Sequence, residues 1–302
     1  MVTRRPLLLA ALALLGACDN NFQKESIVVD LRALAVRTDP AEVVVGVDPN
    51  DLTNVQLPPV SVTALLGDPM GPRALAYTLT ACPVTDDLRC DDPTQPNRVF
   101  KDDVSGDVDG DPPFGVLQMD VPLLEAALAA DNFHGLGGIP VQIELIVRPA
   151  GAGDDQAVHA SKQINYAANF PAGRTANQNP TIDELDADDS PFDPDTPLAV
   201  KPGQVVVLLP IEPEGVRETY IVPTLDGGTR TFTENLRYSW FATSGSFSDE
   251  HTVGPTDIFG NIPLLRTFWT APASVGPVRL WMVQRDERGG TYWTKRAFLV
   301  QN

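Results

Sequence analysis

The sequence predicts an all-β protein with two domains, and three observations support this fold class. Short apolar segments rich in β-branched residues recur at intervals of about ten to fifteen residues and are separated by Pro, Gly and Asp, which is typical of a β-sandwich. One stretch alone has helical spacing. The length of 302 residues suits about two domains of ordinary size.

The first domain is expected over residues 27–168. Its apolar segments alternate or are β-branched, and they are bounded by turn residues. The predicted strands include Ile27 to Val36, Val60 to Leu66, Ala74 to Ala81, Pro140 to Val147 and His159 to Tyr166.

A short helix is expected near residues 121–131 of this domain. Asp120 is a suitable capping residue, Pro122 lies near the first turn, and Leu124 and Leu128 share one stripe at helical spacing. Such an isolated helix is expected to close one end of the sandwich.

Residues 169–196 are expected to form an acidic, Pro-rich linker. Seven acidic residues lie between Asp183 and Asp195, and this composition favours an extended segment without a core of its own. The segment Thr181 to Leu185 is a candidate for the first strand of the next domain.

The second domain is expected over residues 197–302, and its clearest feature is a hairpin near the end of the chain. Val278 to Gln284 and Tyr292 to Leu299 are strand-like. Gly289 and Gly290 supply the positive backbone angles that the connecting loop needs.

Three segments of this domain carry a family resemblance: a core Trp240 strand before Gly245-Ser246-Phe247, then Trp269-Thr270-Ala271-Pro272, then Asp286 to Gly290. This order resembles the bacterial immunoglobulin-like and PKD-like modules of surface proteins. The resemblance implies an immunoglobulin-like sandwich and leaves the function open. We therefore expect two immunoglobulin-like β-sandwich domains, the first with one inserted short helix.

The amino terminus has the layout of an export signal. Arg4 and Arg5 precede the apolar run Leu7 to Leu15, which is too short to span a membrane. The sequence Leu15-Gly16-Ala17-Cys18 resembles the lipobox of bacterial lipoproteins. The resemblance implies that residues 1–17 are removed, that Cys18 is lipidated, and that residues 18–26 form a tether. The alternative is a buried helix followed by an ordinary thiol.

Cys82 and Cys90 are eight residues apart, and in an exported protein this spacing predicts a disulfide. Closing so short a loop would contribute about 2–3 kcal/mol to stability. A metal-binding pair and two free thiols are the alternatives.

Composition argues against several functions. The formal net charge of −18 disfavours nucleic acid as a partner. The three histidines, His134, His159 and His251, are scattered, and the sequence has no Gly-x-Ser-x-Gly motif. We therefore expect no catalytic activity and no obligatory cofactor, although an unrecognised pair of carboxylates for an envelope hydrolase is an alternative.

Two weaker binding sites are candidates. Asp107, Asp109 and Asp111 lie in an oxygen-rich loop that resembles calcium loops, although Val116 replaces the closing Glu of an EF-hand. A solvated hairpin tip is the alternative. Trp281 and Trp293 could form a surface pair for a glycan or a protein partner, with core packing as the alternative.

Together these features predict a lipid-anchored, non-catalytic protein of the cell envelope that acts as a binding or structural module. We expect Cys18 to hold it on a membrane, at the outer membrane or cell surface rather than the inner membrane, with other envelope proteins as partners. A calcium-dependent adhesin or glycan-binding surface protein is the alternative.

Overall fold

The computed structural model describes residues 24–44, 51–52, 55–105, 110–167, 174–253 and 264–302. These residues form mostly β-strands, with one α-helix among them. The predicted all-β class is therefore confirmed. In the described parts of the chain, no helix has the length and apolar character that crossing a membrane requires.

The N-terminal half, residues 24–167, consists of two sheets that enclose one apolar core. One sheet has the strand order β1-β3-β6 and the other has the order β2-β8-β7-β4-β5. The elements are β1 (Arg32–Asp39), β2 (Glu42–Val44), β3 (Val60–Gly67), β4 (Leu75–Pro83), β5 (Arg98–Ser105), β6 (Phe114–Leu117), α1 (Val121–Ala130), β7 (Ile139–Pro149) and β8 (Val158–Ala167).

Helix α1 confirms the predicted helix. The Asp120 carboxylate accepts a hydrogen bond from the Leu123 amide at 3.0 Å, which caps the first turn. Leu123, Leu124 and Ala127 are buried in the core of the N-terminal half. Leu128 is only partly buried there, so the buried stripe is centred one residue earlier than expected.

The disulfide between Cys82 and Cys90 is present, with their Cα atoms 5.6 Å apart. Cys82 lies in β4, and both cysteines are buried. The Cys90 amide donates to the Glu144 carboxylate at 2.9 Å. The loop after β4 is therefore attached to β7 as well as closed covalently.

The C-terminal half, residues 174–302, has two five-stranded sheets around a second core and one separate two-stranded hairpin. The sheets have the orders β10-β9-β12-β18-β16 and β11-β20-β19-β15-β17, and the hairpin is β13-β14. The strands are β9 (Glu184–Ala187), β10 (Ser190–Pro191), β11 (Leu198–Val200), β12 (Val205–Ile211), β13 (Thr219–Pro223), β14 (Thr229–Thr233), β15 (Arg237–Ala242), β16 (Ser246–Phe247), β17 (His251–Thr252), β18 (Thr267–Thr270), β19 (Gly276–Arg285) and β20 (Thr291–Val300).

Aromatic side chains fill this second core. Trp240 and Trp269 are both fully buried, and the ring of Trp269 stacks on Phe298 with centroids 4.1 Å apart. The predicted hairpin is formed by β19 and β20. In its turn the Asp286 carboxylate accepts hydrogen bonds from two backbone amides, and Gly289 has a φ of +99°, which favours glycine at that position.

The structure corrects the expected linker. Strands β9 and β10 lie inside residues 169–196, and Leu185, Ala187 and Phe192 are buried in the second core. The acidic residues around them alternate with these apolar positions, so one side of the segment is packed and the other is solvated. Glu184–Ala187 and Ser190–Pro191 of this segment therefore belong to a sheet.

One sheet of each half has an equivalent strand order, β2-β8-β7-β4-β5 in the N-terminal half and β11-β20-β19-β15-β17 in the C-terminal half. In each, a short early strand pairs in parallel with the last strand, β2 with β8 and β11 with β20. The next strands in that sheet are the penultimate strand and then a strand from the middle of the half. The hairpin β13-β14 is an insertion of the C-terminal half, between β12 and β15.

Candidate functional site at the junction of the two halves

A third apolar cluster lies between the two halves. It combines side chains of both, and Trp281 in its centre is 1% exposed. Trp293 packs against the cluster and is partly buried. The members are Val28, Leu34, Ala35 and Leu65 from the N-terminal half and Phe241, Trp281 and Val283 from the C-terminal half.

The first described residues connect the two halves before β1 begins. The Val28 amide donates to the Ala242 carbonyl and the Ala242 amide donates to the Ser26 carbonyl, both at 2.9 Å. The Ser26 hydroxyl also donates to the Glu250 carboxylate at 2.9 Å. Ser26, at the end of the expected tether of residues 18–26, therefore already belongs to the fold.

A β-bulge in β1 provides another contact. The register of β1 against β3 shifts between Ala33 and Ala35, so Leu34 is the extra residue. Arg285 of β19 donates from its guanidinium to the Leu34 carbonyl at 2.7 Å. An arginine of the C-terminal half thus donates a hydrogen bond to the bulged residue of the N-terminal half.

A buried carboxylate is the centre of the polar part of the junction. The Glu42 side chain is 5% exposed and pairs with Arg174 and Arg288, which are 9% and 11% exposed. The Arg288 guanidinium lies 3.0 Å from Glu42 Oε2, and the backbone N–H of Asn177 donates to the same oxygen at 3.0 Å. The Asn165 Nδ2 atom donates to Glu42 Oε1 at 3.1 Å. Because a buried carboxylate is costly without such partners, these contacts hold β2, β8, the segment around residue 174 and the β19-β20 turn together.

Arg288 also reaches the inserted hairpin. Its Nη1 atom lies 3.5 Å from Glu218 Oε2 and 3.3 Å from Glu234 Oε1. The guanidinium carbon is 4.7 Å from the centre of the Tyr220 ring, which is a cation–π contact. Glu218 precedes β13 and Glu234 follows β14, so this arginine closes the base of the hairpin onto the junction.

The pKa of Glu234 is raised to about 7, first by burial and then by the charges of Asp286 and Glu218, against the opposing effect of Arg288. The folded protein therefore keeps a proton on Glu234 that the unfolded chain releases near its ordinary pKa of 4.5. Between these values the folded state binds more protons, so stability falls as pH rises and stays at its lower level above pH 7.

We expect Glu234→Gln to remove this pH dependence. The wild-type free energy of unfolding should fall by about 1–3 kcal/mol from pH 5 to pH 8 through this group, and chemical denaturation at the two pH values measures it. Glu125→Gln, on the exposed side of α1, is the matched control and should keep the wild-type slope. Equal slopes in the wild type and the Glu234 variant would contradict the assignment.

The larger of two neighbouring clefts has a volume of about 550 Å³ and lies between β1, β8 and the β19-β20 turn. Lys162 from β8 donates to the Gly289 carbonyl, and its Nζ atom lies 3.2 Å from Thr291 Oγ1. Burial lowers the pKa of Lys162 to about 8, although Asp286 opposes the shift. This lysine is thus a donor that joins the two halves.

The smaller cleft has a volume of about 360 Å³ and shares Arg285 with the larger one. Its walls are the start of β1 and the strands β15, β17 and β19. Basic side chains dominate its lining: Arg32, Arg237, Arg285 and His251, with Ser239 and Glu25 beside them.

The structure does not form the candidate surface pair of Trp281 and Trp293, because Trp281 is buried. Alternation along β19 directs Trp281 away from the second core, but the N-terminal half covers that face. Trp281 is therefore unavailable to a ligand. The alternative of core packing describes it better.

Several predicted site residues lie outside the described residues: Cys18, Asp107 and Asp109. Asp111 is described and lies exposed between β5 and β6. Within the described ranges, no three His, Cys, Asp or Glu side chains are grouped so as to hold a metal ion. The lipid anchor and the calcium loop stay predictions.

Two carboxylates that no sequence pattern marks, those of Glu218 and Glu234, lie beside the same arginine. Both contact Arg288, and the Glu234 side chain is 1% exposed. A glycosidase pair must flank a substrate, whereas these carboxylates flank an arginine. The pairing therefore has a structural explanation in the closure of the hairpin.

Comparison with known proteins identifies no family. No family model matches the chain, and no curated protein matches it. Activated alpha-2-macroglobulin of Escherichia coli is a distant structural match, with 12% identity, a TM-score of 0.26 and coverage of 93% of this chain and 22% of that one. Dimeric latent PorU of Porphyromonas gingivalis matches with 12% identity, a TM-score of 0.24 and coverage of 90% and 24%. This chain thus spans under a quarter of the length of either.

Proposed function

We propose that this chain is a lipid-anchored, non-catalytic protein of the cell envelope that acts as a binding or structural module. The observation that carries the proposal is Leu15-Gly16-Ala17-Cys18 after a short apolar run with Arg4 and Arg5 in front. Acyl chains at Cys18 would hold the protein on a bilayer, since each buried methylene contributes about 0.8 kcal/mol. The disulfide between Cys82 and Cys90 supports an exported location, where such bonds persist.

We further propose that each half is an immunoglobulin-like sandwich. The shared strand order and the parallel pairing of an early strand with the last one support this assignment. The buried apolar cluster and the Glu42 contacts would make the two halves a single rigid unit rather than two domains that move independently. A rigid unit of this kind suits a protein that positions or bridges envelope components.

Metabolic labelling with a fatty-acid probe tests the anchor. The wild-type chain should carry the label and fractionate with membranes. Cys18→Ala should lose the label and leave a precursor of higher mass, because the cysteine is both the lipid acceptor and the residue at the cleavage site.

The matched control is Cys82→Ala with Cys90→Ala, which removes the other two cysteines and should keep the label. Label that persists in Cys18→Ala would overturn the proposal. Density separation of the two membranes then tests the outer-membrane location, which accumulation of the labelled chain in the inner membrane would contradict.

A further inference from the structure

The basic cleft arises from the register of three strands. In the antiparallel pair β15-β19, Arg237 lies directly opposite Arg285, and in the pair β15-β17, Ser239 lies directly opposite His251. Because residues two apart on a strand share a face, Arg237 and Ser239 lie on the same side of the sheet. The register therefore brings two arginines, a histidine and a serine together.

This face of the sheet changes character along its length. Phe241 continues the series Arg237 and Ser239 on the same side, and it is packed with Trp281 in the apolar cluster of the junction. The N-terminal half covers the apolar end and leaves the basic end as the open cleft of about 360 Å³, where β1 adds Arg32. The cleft is thus a pocket with an apolar inner wall and a cationic mouth.

The positive charges in this pocket have few internal counterions. Among the described residues, no carboxylate lies within ion-pair distance of Arg32, Arg237 or Arg285. Glu25 lines the cleft, but it is the backbone carbonyl of Glu25 that accepts a hydrogen bond from the Arg32 guanidinium. Such a concentration of arginines is unusual in a chain with a formal net charge of −18.

Like charges directly opposite each other across two strands destabilise a sheet. Burial and the charge of Arg237 lower the pKa of Arg285, and they also lower the pKa of His251, where Glu25 and Glu250 act in the opposite direction. The Glu250 carboxylate itself accepts a hydrogen bond from the Ser26 hydroxyl. A bound anion between the arginines would relieve this repulsion.

We propose that the cleft formed by Arg32, Arg237, Arg285 and His251 binds a phosphoryl group. Guanidinium groups match the oxygens of phosphate through paired hydrogen bonds, and the Ser239 hydroxyl, which lies 3.1 Å from His251 Nδ1, adds a further polar group. The volume of about 360 Å³ accommodates a phosphate ester with a small organic group on the apolar wall.

The position of the cleft suggests the source of that phosphoryl group, and this step depends on the proposed anchor. Glu25, on the rim, is seven residues from Cys18. Seven fully extended residues span at most about 25 Å, so a chain lipidated at Cys18 keeps the cleft within reach of phospholipid headgroups. A soluble phosphate ester is the other source with the same chemistry.

Phosphate titration of the full chain, followed by the ring signals of its three histidines in NMR, tests the site. Inorganic phosphate should raise the pKa of His251 and leave those of His134 and His159 unchanged. Arg237→Gln and Arg32→Gln should each weaken phosphate binding about tenfold or more, because each removes a charge-assisted hydrogen-bond donor.

Arg230→Gln is the matched control, since Arg230 is an exposed arginine on β14, and it should bind phosphate as the wild type does. The proposal is overturned if phosphate leaves the pKa of His251 unchanged up to physiological ionic strength, or if the control weakens binding as much as Arg237→Gln. Because both arginine variants concern exposed or half-exposed positions, each is expected to fold, and a cooperative unfolding transition in each variant verifies this.

Vesicles distinguish the two sources. The wild-type full chain should prefer phosphatidylglycerol vesicles over phosphatidylcholine vesicles more strongly than the Arg237→Gln variant does. Any binding through the amino-terminal apolar run is the same in the wild type and the variant. That result supports headgroups as the source. Binding of glycerol phosphate without a vesicle preference supports a soluble ester instead. Labelling at Cys18 is a separate measurement, so failure of the anchor and failure of the phosphate site remain distinguishable.

Discussion

Arg288→Met is expected to lower the free energy of unfolding by about 3–5 kcal/mol. The guanidinium of Arg288 is 11% exposed and contacts the carboxylates of Glu42, Glu218 and Glu234. Removing it takes one of its arginine partners from the buried Glu42 carboxylate, and that desolvated charge is then poorly compensated. Guanidinium chloride denaturation at neutral pH measures the loss.

Two further variants make this result specific. Arg230→Met removes an exposed arginine and should change stability by no more than about 0.5 kcal/mol. Adding Glu42→Gln to Arg288→Met should recover at least about 1 kcal/mol, because contacting charges are energetically coupled. A loss below about 1 kcal/mol in Arg288→Met would contradict a stabilising role for this network.

Trp281→Ala is expected to cost about 3–5 kcal/mol and to separate the unfolding of the two halves. Trp281 is the largest side chain of the cluster between them and is 1% exposed. Its truncation leaves a cavity between Phe241 and the side chains of β1 and β3, so the halves lose the apolar contact that couples them. Scanning calorimetry should show one transition in the wild type and two in the variant.

The control for this prediction is Phe133→Ala. Phe133 is 64% exposed, so its loss should leave both stability and the number of transitions nearly unchanged. If Trp281→Ala unfolded in a single transition with less than about 1 kcal/mol of lost stability, the cluster would not be what couples the halves.

Local patterns predicted the elements of this fold well. The alternation Val141, Ile143, Leu145 predicted β7, and all three side chains are buried. The cap at Asp120 predicted α1, and the glycines at 289 and 290 predicted the β19-β20 hairpin. Each of these signals lies within a few residues, where period and backbone preference decide the outcome.

The junction could not be predicted in this way because its contacts are not local. Glu42 pairs with Arg174 and Arg288, which are 132 and 246 residues away, and no spacing in the sequence marks them. Alternation separated the two faces of β19 but did not indicate that the face of Trp281 would be covered. The acidic composition around Leu185 likewise favoured a solvated linker, although two apolar positions two residues apart were enough for a strand in a sheet.

The basic cleft was partly visible in the sequence. Ser239 precedes Trp240 of an expected strand and Arg285 follows the expected strand Val278 to Gln284, but the sequence does not show which residues pair across strands. The sequence also does not indicate which side chain His251 contacts. Its partner in the structure is Ser239 on the neighbouring strand, which only the register of β15 and β17 could reveal.

The backbone bridge from Ser26 and Val28 to Ala242 has a mechanical consequence. If the chain is attached through Cys18, a force on the amino-terminal segment reaches the hydrogen bonds to Ala242 of the C-terminal half before it reaches β1 of the N-terminal half. The force is therefore applied to both halves at their junction, and it does not unfold one half from its far end. The two halves of such a chain would then bear the force together.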